Sequence, residues 1–536
     1  MKQLPNMRRG MAFGVTLAVF AGILALVTNN RNGVSPSDQA RAADIDMSRI
    51  WPMFGGTLQR NMVNTFDKNI PDEWDVESGE NIKWVAKLGS RAYGGPTIAG
   101  GKIYVGTNNG APRNPDIKGD KGIIMCFRES DGEFLWQAVH DKLPSGQVND
   151  WPNEGICSTP AVEGNRVYYV SNRCEVVCAS TEGFLDGKNE GVQDEIYKSK
   201  TDADIIWRLD MMEQLRVFPH NLAACSPLLV GDLVFIVTAN GVDEGHINIP
   251  APKAPSFIAV NKHTGKLVWQ DNSPGLDIMH GQWSNPTYAE INGIPMIIFP
   301  GGDGWLRSFE PKTGKLQWKF DCNPKDSKYV LGGAGTKNDF IATPVVYDNK
   351  LYIGVGQDPE HYEGVGHFWC IDLAKAVEKG KTNKDNDVSP VNDKFDAKDP
   401  VNKDSALVWH YGGFADPEKT GRDYVFGRTM STCAIHDNIV YVAELAGYLH
   451  CLDAQTGKVY WVHDLKSAVW GSPYWVDGKV YIGDEDSDVF VMAHGKEKKE
   501  LGRHEMQHAV KSTPVVVNGV LYVMTETHLY AIANKK

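Results

Sequence analysis

The sequence predicts an all-β protein, an eight-bladed β-propeller of four-stranded antiparallel blades, with the ring closed by an N-terminal strand that pairs with the C-terminal blade. The first observation is a repeat of the form Ser/Thr-Pro-x-Val-x-Gly-x-x-Val/Leu-Tyr-Val/Ile-Gly. It starts at Pro96, Pro160, Pro227, Pro344, Pro473 and Pro514, each followed eight residues on by an aromatic: Tyr104, Tyr168, Phe235, Tyr352, Tyr481 and Tyr522. A copy at Pro286 carries a few extra residues, and another has Cys433 in place of the Pro, with Tyr441 following, which makes eight units. The second observation is that the last unit stops at Leu529–Ala533 with no fourth strand, while Asn81–Val85 reads as the outer strand of a blade.

Within each unit, four short runs of alternating, β-branched or aromatic residues are separated by turn pairs such as Glu163-Gly164, Asp348-Asn349, Asp477-Gly478 and Asn518-Gly519. Small antiparallel sheets must cover both faces and hide their edges, and radial repetition does both. If the two ends of the chain share one sheet, neither half should fold alone. Trp136, Trp269, Trp318 and Trp461 each follow a Gly by four residues, and Trp207, Trp409 and Trp84 occupy the same place in less regular units. One Trp per blade reads as packing between blades. Cys126, Cys178, Cys370 and Cys451 share one strand position, where a small buried residue is needed.

The composition agrees with a globular chain: of 536 residues, 42% are hydrophobic and 23% charged. A net charge of -12 argues against a nucleic-acid binder working through a basic surface. Lys2, Arg8 and Arg9 precede the apolar run Met11 to Val27, and Ala40-Arg41-Ala42 fits a small-x-small cleavage site. Residues 1–42 are therefore expected to be a signal peptide, with 43–536 as one exported, periplasmic propeller domain. The alternative is an uncleaved anchor, which would be the chain's membrane contact. No Cys precedes Cys126, so a lipid-bearing Cys is not expected, and nine Cys leave at least one thiol free.

The unit ends, as in Gly-Lys-Leu-Gln-Trp318, Cys-Leu-Asp-Ala-Gln-Thr-Gly-Lys458 and Phe-Ile-Ala-Val-Asn-Lys-His-Thr-Gly-Lys266, resemble the pyrroloquinoline quinone (PQQ) repeat of eight-bladed quinoprotein-like propellers. The resemblance spans residues 50–533. Trp51-Pro-Met-Phe-Gly-Gly56 and Gly-Gln-Asp-Pro-Glu-His361 look like secreted PQQ-repeat proteins of planctomycete type, a group that implies no activity. Two functions are implied by the wider resemblance. One is a PQQ- and calcium-dependent dehydrogenase of small alcohols or aldehydes, with the quinone on a Trp floor, a cap made by adjacent disulfide-bonded Cys, and calcium held by Glu, Asn and Asp. The other is an outer-membrane assembly propeller, a lipoprotein that binds partners. The chain lacks the adjacent Cys pair of the first and the lipid-bearing Cys of the second. The expectation is a scaffold that binds a protein partner or small-molecule ligand through its funnel face. The dehydrogenase, with PQQ and calcium as cofactors, is the alternative.

Propeller geometry places the residue three before each repeat Pro at the mouth of the central channel. These are Tyr93, Cys157, Trp283, Met430, Trp470 and Lys511, with Ala224 and Ile341 completing the circle. Two Trp, a Tyr and a cation suit a flat ligand, or form a plug. On the same face, the loops between second and third strands open with acidic or amide residues: Asn108, Asn172, Asn240, Asp303, Asp358, Glu444, Asp484 and Glu526. They either stabilise turns or supply oxygens to calcium. In the dehydrogenase reading, Trp283 or Trp470 is the floor and Asp303 the candidate base. Asp358, Glu360, His361 and His367 combine carboxylates with imidazoles as a divalent metal site would, and Asp243-Glu244-Gly-His246 is a shorter version. Cys157 and Cys225 fall at similar depth in neighbouring blades, either bridged or as two thiols. The charged insertions 184–205 and 374–404 lie on the opposite face and read as solvated or partner-contacting. No Ser-His-Asp order, glycine-rich phosphate loop or zinc-protease motif supports a hydrolase or nucleotide enzyme.

Overall fold

The computed structural model describes residues 49–333, 335–361 and 363–535, so the expected signal peptide lies outside the described residues. Eight antiparallel sheets form a ring of blades, a β-propeller with few helices. Their innermost strands, which number blades 1 to 8, are Thr97–Ala99, Ala161–Glu163, Leu228–Val230, Thr287–Ile291, Val345–Tyr347, Ala434–His436, Tyr474–Val476 and Val515–Val517. The outermost strand of blade 8 is Ile82–Lys87, antiparallel to His528–Ile532 with Trp84 opposite Ala531, so the two ends of the propeller zip into one sheet. Two blades gain a fifth strand: Tyr424–Phe426 on the outer edge of blade 5, and Val63–Asn64, parallel, on the inner edge of blade 7.

One level of side chains explains the repeat. Across the sheet, Tyr104 faces Cys126 and Cys126 faces Trp136; the same row recurs as Tyr168–Cys178–Trp207, Tyr352–Cys370–Trp409 and Tyr441–Cys451–Trp461. Ala259 and Ala531 take the central place in blades 3 and 8. A small residue there lets two large rings close over it, and a bulkier one would overpack the row. Each Trp then reaches the next blade. Except in blade 4, where Trp318 Nε1 has no partner, its Nε1 donates to a carbonyl there: Trp84 to Glu129 at 3.2 Å, Trp136 to Thr181 at 3.0 Å, Trp207 to Lys262 at 2.9 Å, Trp269 to Pro311 at 2.7 Å. The ring rests on the turn glycine of that blade. Gly132 has φ +72°, and a Cβ on it would sit 2.6 Å from the Trp84 ring, which explains the Gly-then-Trp spacing.

The charged insertions do more than decorate. Gln137 N donates to Thr201 O (2.9 Å) and Val388 N to Lys319 O (3.0 Å), so the segments 184–205 and 374–404 cover the outer strands of blades 1 and 4. These are edge strands whose free amides would otherwise invite another chain.

The floor of the channel is made by a feature absent from the repeat pattern. Residues 51–64 lace around the ring and bond to the inner strands. Trp51 exchanges two backbone bonds with Ile98 (2.8 and 2.9 Å), and Pro52 O accepts from Val162 N (2.8 Å). Leu58 O accepts from Tyr288 N (3.0 Å), Gln59 O from Val346 N (3.0 Å) and Met62 O from Trp475 N (2.9 Å). Asn61 bonds both N–H and C=O of Ile435 through its side chain, each at 2.9 Å, and Asn64 Nδ2 donates to Val516 O at 2.9 Å. Blade 3 is met by Arg60, fully buried, whose guanidinium donates to the carbonyls of Ser226 and Pro227 (3.1 Å each), Pro286 (3.0 Å) and Phe54 (2.7 Å). All eight blades are thus tied to one strand of peptide.

Candidate funnel site

Above that floor the side chains leading into the inner strands surround one cavity of about 400 Å³. Tyr93, Cys157, Trp283, Met430, Trp470 and Lys511 all line it, as do Ala224 and Ile341, with Phe54 from the lacing segment below. Trp151, Glu154, Asp358 and Glu360 from the long loops complete the wall. The Trp470 and Tyr93 rings lie 5.7 Å apart, and Lys511 Nζ sits 4.6 Å from the first and 5.2 Å from the second, a cation–π arrangement. Lys511 is also paired with Glu485 (3.1 Å) and Glu526 (3.2 Å), and Arg91 binds Glu526 at 2.6 Å. Burial raises the Glu154 carboxyl above the usual carboxylate range and pushes Asp358 up to about 6. Glu154 Oε2 and Trp470 Nε1 have no hydrogen-bond partner.

Most of the acidic and amide loop residues do not converge. Asp303 does not reach the cavity: it is buried in a two-pronged pair with Arg307 (3.0 and 2.6 Å) and accepts from Trp305 N, so it is a turn residue rather than a base beside a ligand. Asn108 accepts from Ser90 N and Gly110 N, Asn240 from Phe218 N, Glu444 from Gly427 N, and Asp484 from Asp488 N. These bonds fix the loops locally. The nine thiols are all unbridged. Cys225 is turned into the backbone, accepting from Val237 N at 3.3 Å, and burial pushes its thiol up to about 12.

The expected metal-binding set also divides. His367 is buried away from the others against His410, Nδ1 to Nε2 2.9 Å. Asp358 and Glu360 line the cavity, and His361 stands close by, its ring 5.0 Å from that of His280. What gathers there is a group of histidines from three loops: His220 between blades 2 and 3, His246 in the 238–256 loop, and His280 between blades 3 and 4. Their ligand nitrogens all lie within 4.8 Å of one another, and among the described residues no other three His, Cys, Asp or Glu come so close. Nε2 of His246 is 3.1 Å from Nε2 of His220 and 3.0 Å from Nε2 of His280. Burial pushes His220 down to about 4 and His280 down to about 2, so both imidazoles stay neutral at pH 7. His246 carried a weak sequence signal through its acidic neighbours; His220 and His280 stand alone in their loops, and only the ring brings the three together.

A sequence profile described as "Outer membrane protein assembly factor BamB" matches residues 120–384 and 400–536. The chain belongs to this PQQ-repeat family. Relatives of the family differ in activity. The chain is 24% identical over 348 residues to tetrathionate hydrolase of Acidithiobacillus ferrooxidans, covering 56% of this chain and 62% of that protein. It is 22% identical over 488 residues to the dehydrogenase subunit of a quinone-type alcohol dehydrogenase from Gluconobacter oxydans, covering 81% and 56%. With BamB of Yersinia pestis it shares 20% over 319 residues, covering 59% and 63%. The matches thus span less than two thirds of these relatives' length. Among solved structures, a europium-containing methanol dehydrogenase superposes with TM-score 0.57 at 13% identity, covering 92% of this chain and 100% of that one, which shows the shared propeller fold.

The quinone that the family resemblance implies does not fit these residues. PQQ is a flat polycarboxylate. Lys511 is the one Lys or Arg among the described residues of the wall, and it already sits between two Glu, while Glu154, Asp358 and Glu360 add negative charge. Arg60 lies below with its N–H groups on four carbonyls. Calcium needs about six to eight oxygens at one point, and of the acidic and amide residues opening the loops between second and third strands only Asp358 reaches the wall.

Proposed function

We propose that the protein is an exported binding propeller that holds a small, flat, neutral or positively charged molecule in its funnel cavity. The observation that carries this reading is the convergence of the residues leading into all eight inner strands on one aromatic-walled cavity. The charge of the wall and the unpaired Glu154 Oε2 and Trp470 Nε1 support the chemistry. Export rests on the basic and apolar start of the chain. The test titrates purified protein with a panel of aromatic cations and neutral heterocycles, reading tryptophan fluorescence and heat. Saturable one-to-one quenching by a member of the panel, lost in Trp470→Ala, is expected; quenching unchanged in that variant would sink the reading. In parallel, PQQ with calcium should wash out on desalting. Stoichiometric retention of quinone would favour the dehydrogenase instead.

A second reading, a protein partner at the rim, is favoured by Ile247 (72% exposed) and Leu276 (73%) on loops of blade 3 and its link to blade 4, and by Phe414 (69%) at the end of the blade 5 strand Leu407–Phe414. Crosslinking in the envelope of the producing cell separates the two. A crosslinked species lost in Phe414→Asp and kept in Trp470→Ala would mark the rim as the docking face.

A further inference from the structure

Three imidazoles that meet nitrogen to nitrogen pose a hydrogen-counting problem. Val242 O lies 2.9 Å from His220 Nδ1, and a carbonyl only accepts, so Nδ1 carries the proton and Nε2 presents a lone pair. One N–H on His246 Nε2 can point at His220 Nε2 or at His280 Nε2, and it does not satisfy both. If the His280 proton is on Nδ1 instead, it finds no acceptor at hydrogen-bonding distance: Nδ1 is buried and unpartnered, with Asp358 Oδ2 at 3.9 Å. His361 Nε2, beside the group, is unpartnered as well. No placement of protons satisfies this cluster, whereas a single cation among the three Nε2 atoms accepts all three lone pairs.

The spacing agrees. Nitrogens bound to one tetrahedral ion at Zn–N distances of about 2.0–2.1 Å lie about 3.3 Å apart, close to the 3.1 and 3.0 Å separations here. The outer contacts also suit ligands: His220 is oriented by a backbone carbonyl, and His280 turns its other nitrogen toward a carboxylate. The loops hold this geometry. Val242 N donates to His280 O (3.2 Å) and His220 N to Ala239 O (3.1 Å). A Cβ at position 241 would fall 2.6 Å from both His220 Cβ and His280 O, so only Gly241 lets the two loops approach this closely.

We propose that His220, His246 and His280 bind one divalent transition-metal ion of the zinc or copper class, in the funnel wall behind Trp283 and Asp358. An all-imidazole donor set selects these ions over calcium or magnesium, which prefer oxygen. The site differs from the carboxylate-rich group predicted from sequence and does not depend on whether the cavity binds a small molecule.

The test uses untagged protein, stripped with a chelator and titrated with Co²⁺ and then Zn²⁺. One equivalent of Co²⁺ is expected to give the intense visible bands of a four-coordinate site, and Zn²⁺ to abolish them. His246→Ala, at the partly exposed member, should weaken Zn²⁺ binding by about 100-fold or more. His367→Asn, at the other buried histidine pair, should leave it unchanged. Thermal melts of both variants check folding. Should His246→Ala not fold, the Cu²⁺ EPR spectrum of the wild-type protein decides by its nitrogen hyperfine pattern. Failure of the stripped wild type to take up Co²⁺, equal affinity in His246→Ala, equal loss in His367→Asn, or a Cu²⁺ spectrum with no imidazole nitrogen would each overturn the proposal.

Discussion

The two ends of the central channel are built on the same eight inner strands and are treated oppositely. At the floor, residues 51–64 answer the free backbone edge of strand after strand, and even the buried Arg60 has its donors on carbonyls. At the mouth, in the loops above those strands, Glu154 Oε2, Trp470 Nε1, His280 Nδ1 and His361 Nε2 lack partners. Buried polar atoms are normally paired, and those left unpaired in a folded protein call for an explanation. A repeat supplies identical positions at both ends. The difference teaches that stability is concentrated where the non-repeating peptide is threaded, and recognition where each blade contributes a different side chain.

The floor is the place to break this contrast with the largest effect. Arg60→Met removes the donors of four carbonyls, three of them buried, contributed by three parts of the chain. The loss should be about 3–5 kcal/mol, since each buried carbonyl left without its donor costs about 1–3 kcal/mol while the variant no longer buries a charge, read as a fall in denaturation midpoint or as failure to accumulate folded protein. A midpoint within error of wild type would show that the lacing segment does not hold the ring. Burial pushes the Arg60 guanidinium down to about 10, still protonated at neutral pH, so its charge is present when these bonds form. Asn61→Ala should cost less, about 2 kcal/mol for two bonds to Ile435, with unchanged far-ultraviolet circular dichroism.

How much of this was legible follows from periodicity. The Pro-to-aromatic spacing and the incomplete last unit placed the blades, and Trp84 does pair opposite Ala531. The wall of the cavity was legible too, because position three before each Pro is a register argument: Met430 and Lys511 are unalike, yet the ring brings them to one place. The floor was not legible, because residues 51–64 belong to no repeat and bond mainly through backbone atoms, which leave little trace in sequence. Asp303 is ambiguous in sequence for a related reason: acidic residues at tight turns and at ligands look alike, and its partner Arg307 lies four residues on, in the next strand. His220 and His280 lie in connections between blades, whose course the strand pattern does not fix.

At the mouth the effects on stability should be smaller and of a different kind. Asp484 opens a loop on this face with Oδ1 accepting from Asp488 N (2.9 Å), Oδ2 without a partner, and burial raising its carboxyl to about 6. A carboxyl raised on folding contributes stability that is full below about pH 4 and is lost as pH rises through about 6. Asp484→Asn keeps the Oδ1 acceptor and does not ionise. Its stability relative to wild type should therefore improve by about 1 kcal/mol between pH 4 and pH 7, and a difference that stays flat with pH would show that Asp484 is not held in its neutral form.

Trp470→Ala should change stability least and binding most. Its ring lines the cavity, contacts Tyr93 and carries Lys511 on its face, but it takes no part in the Trp row that joins blade to blade. Truncation should cost about 1 kcal/mol or less in a chemical melt while removing the fluorescence response to cavity ligands. Trp136→Ala inverts the pattern: that ring is fully buried, donates across the blade interface to Thr181 O at 3.0 Å and touches no part of the cavity, so its loss should cost about 3–5 kcal/mol and leave ligand affinity per folded molecule as it was. If the two variants behaved alike in both measurements, the division between a structural ring of tryptophans and a recognising one would fail.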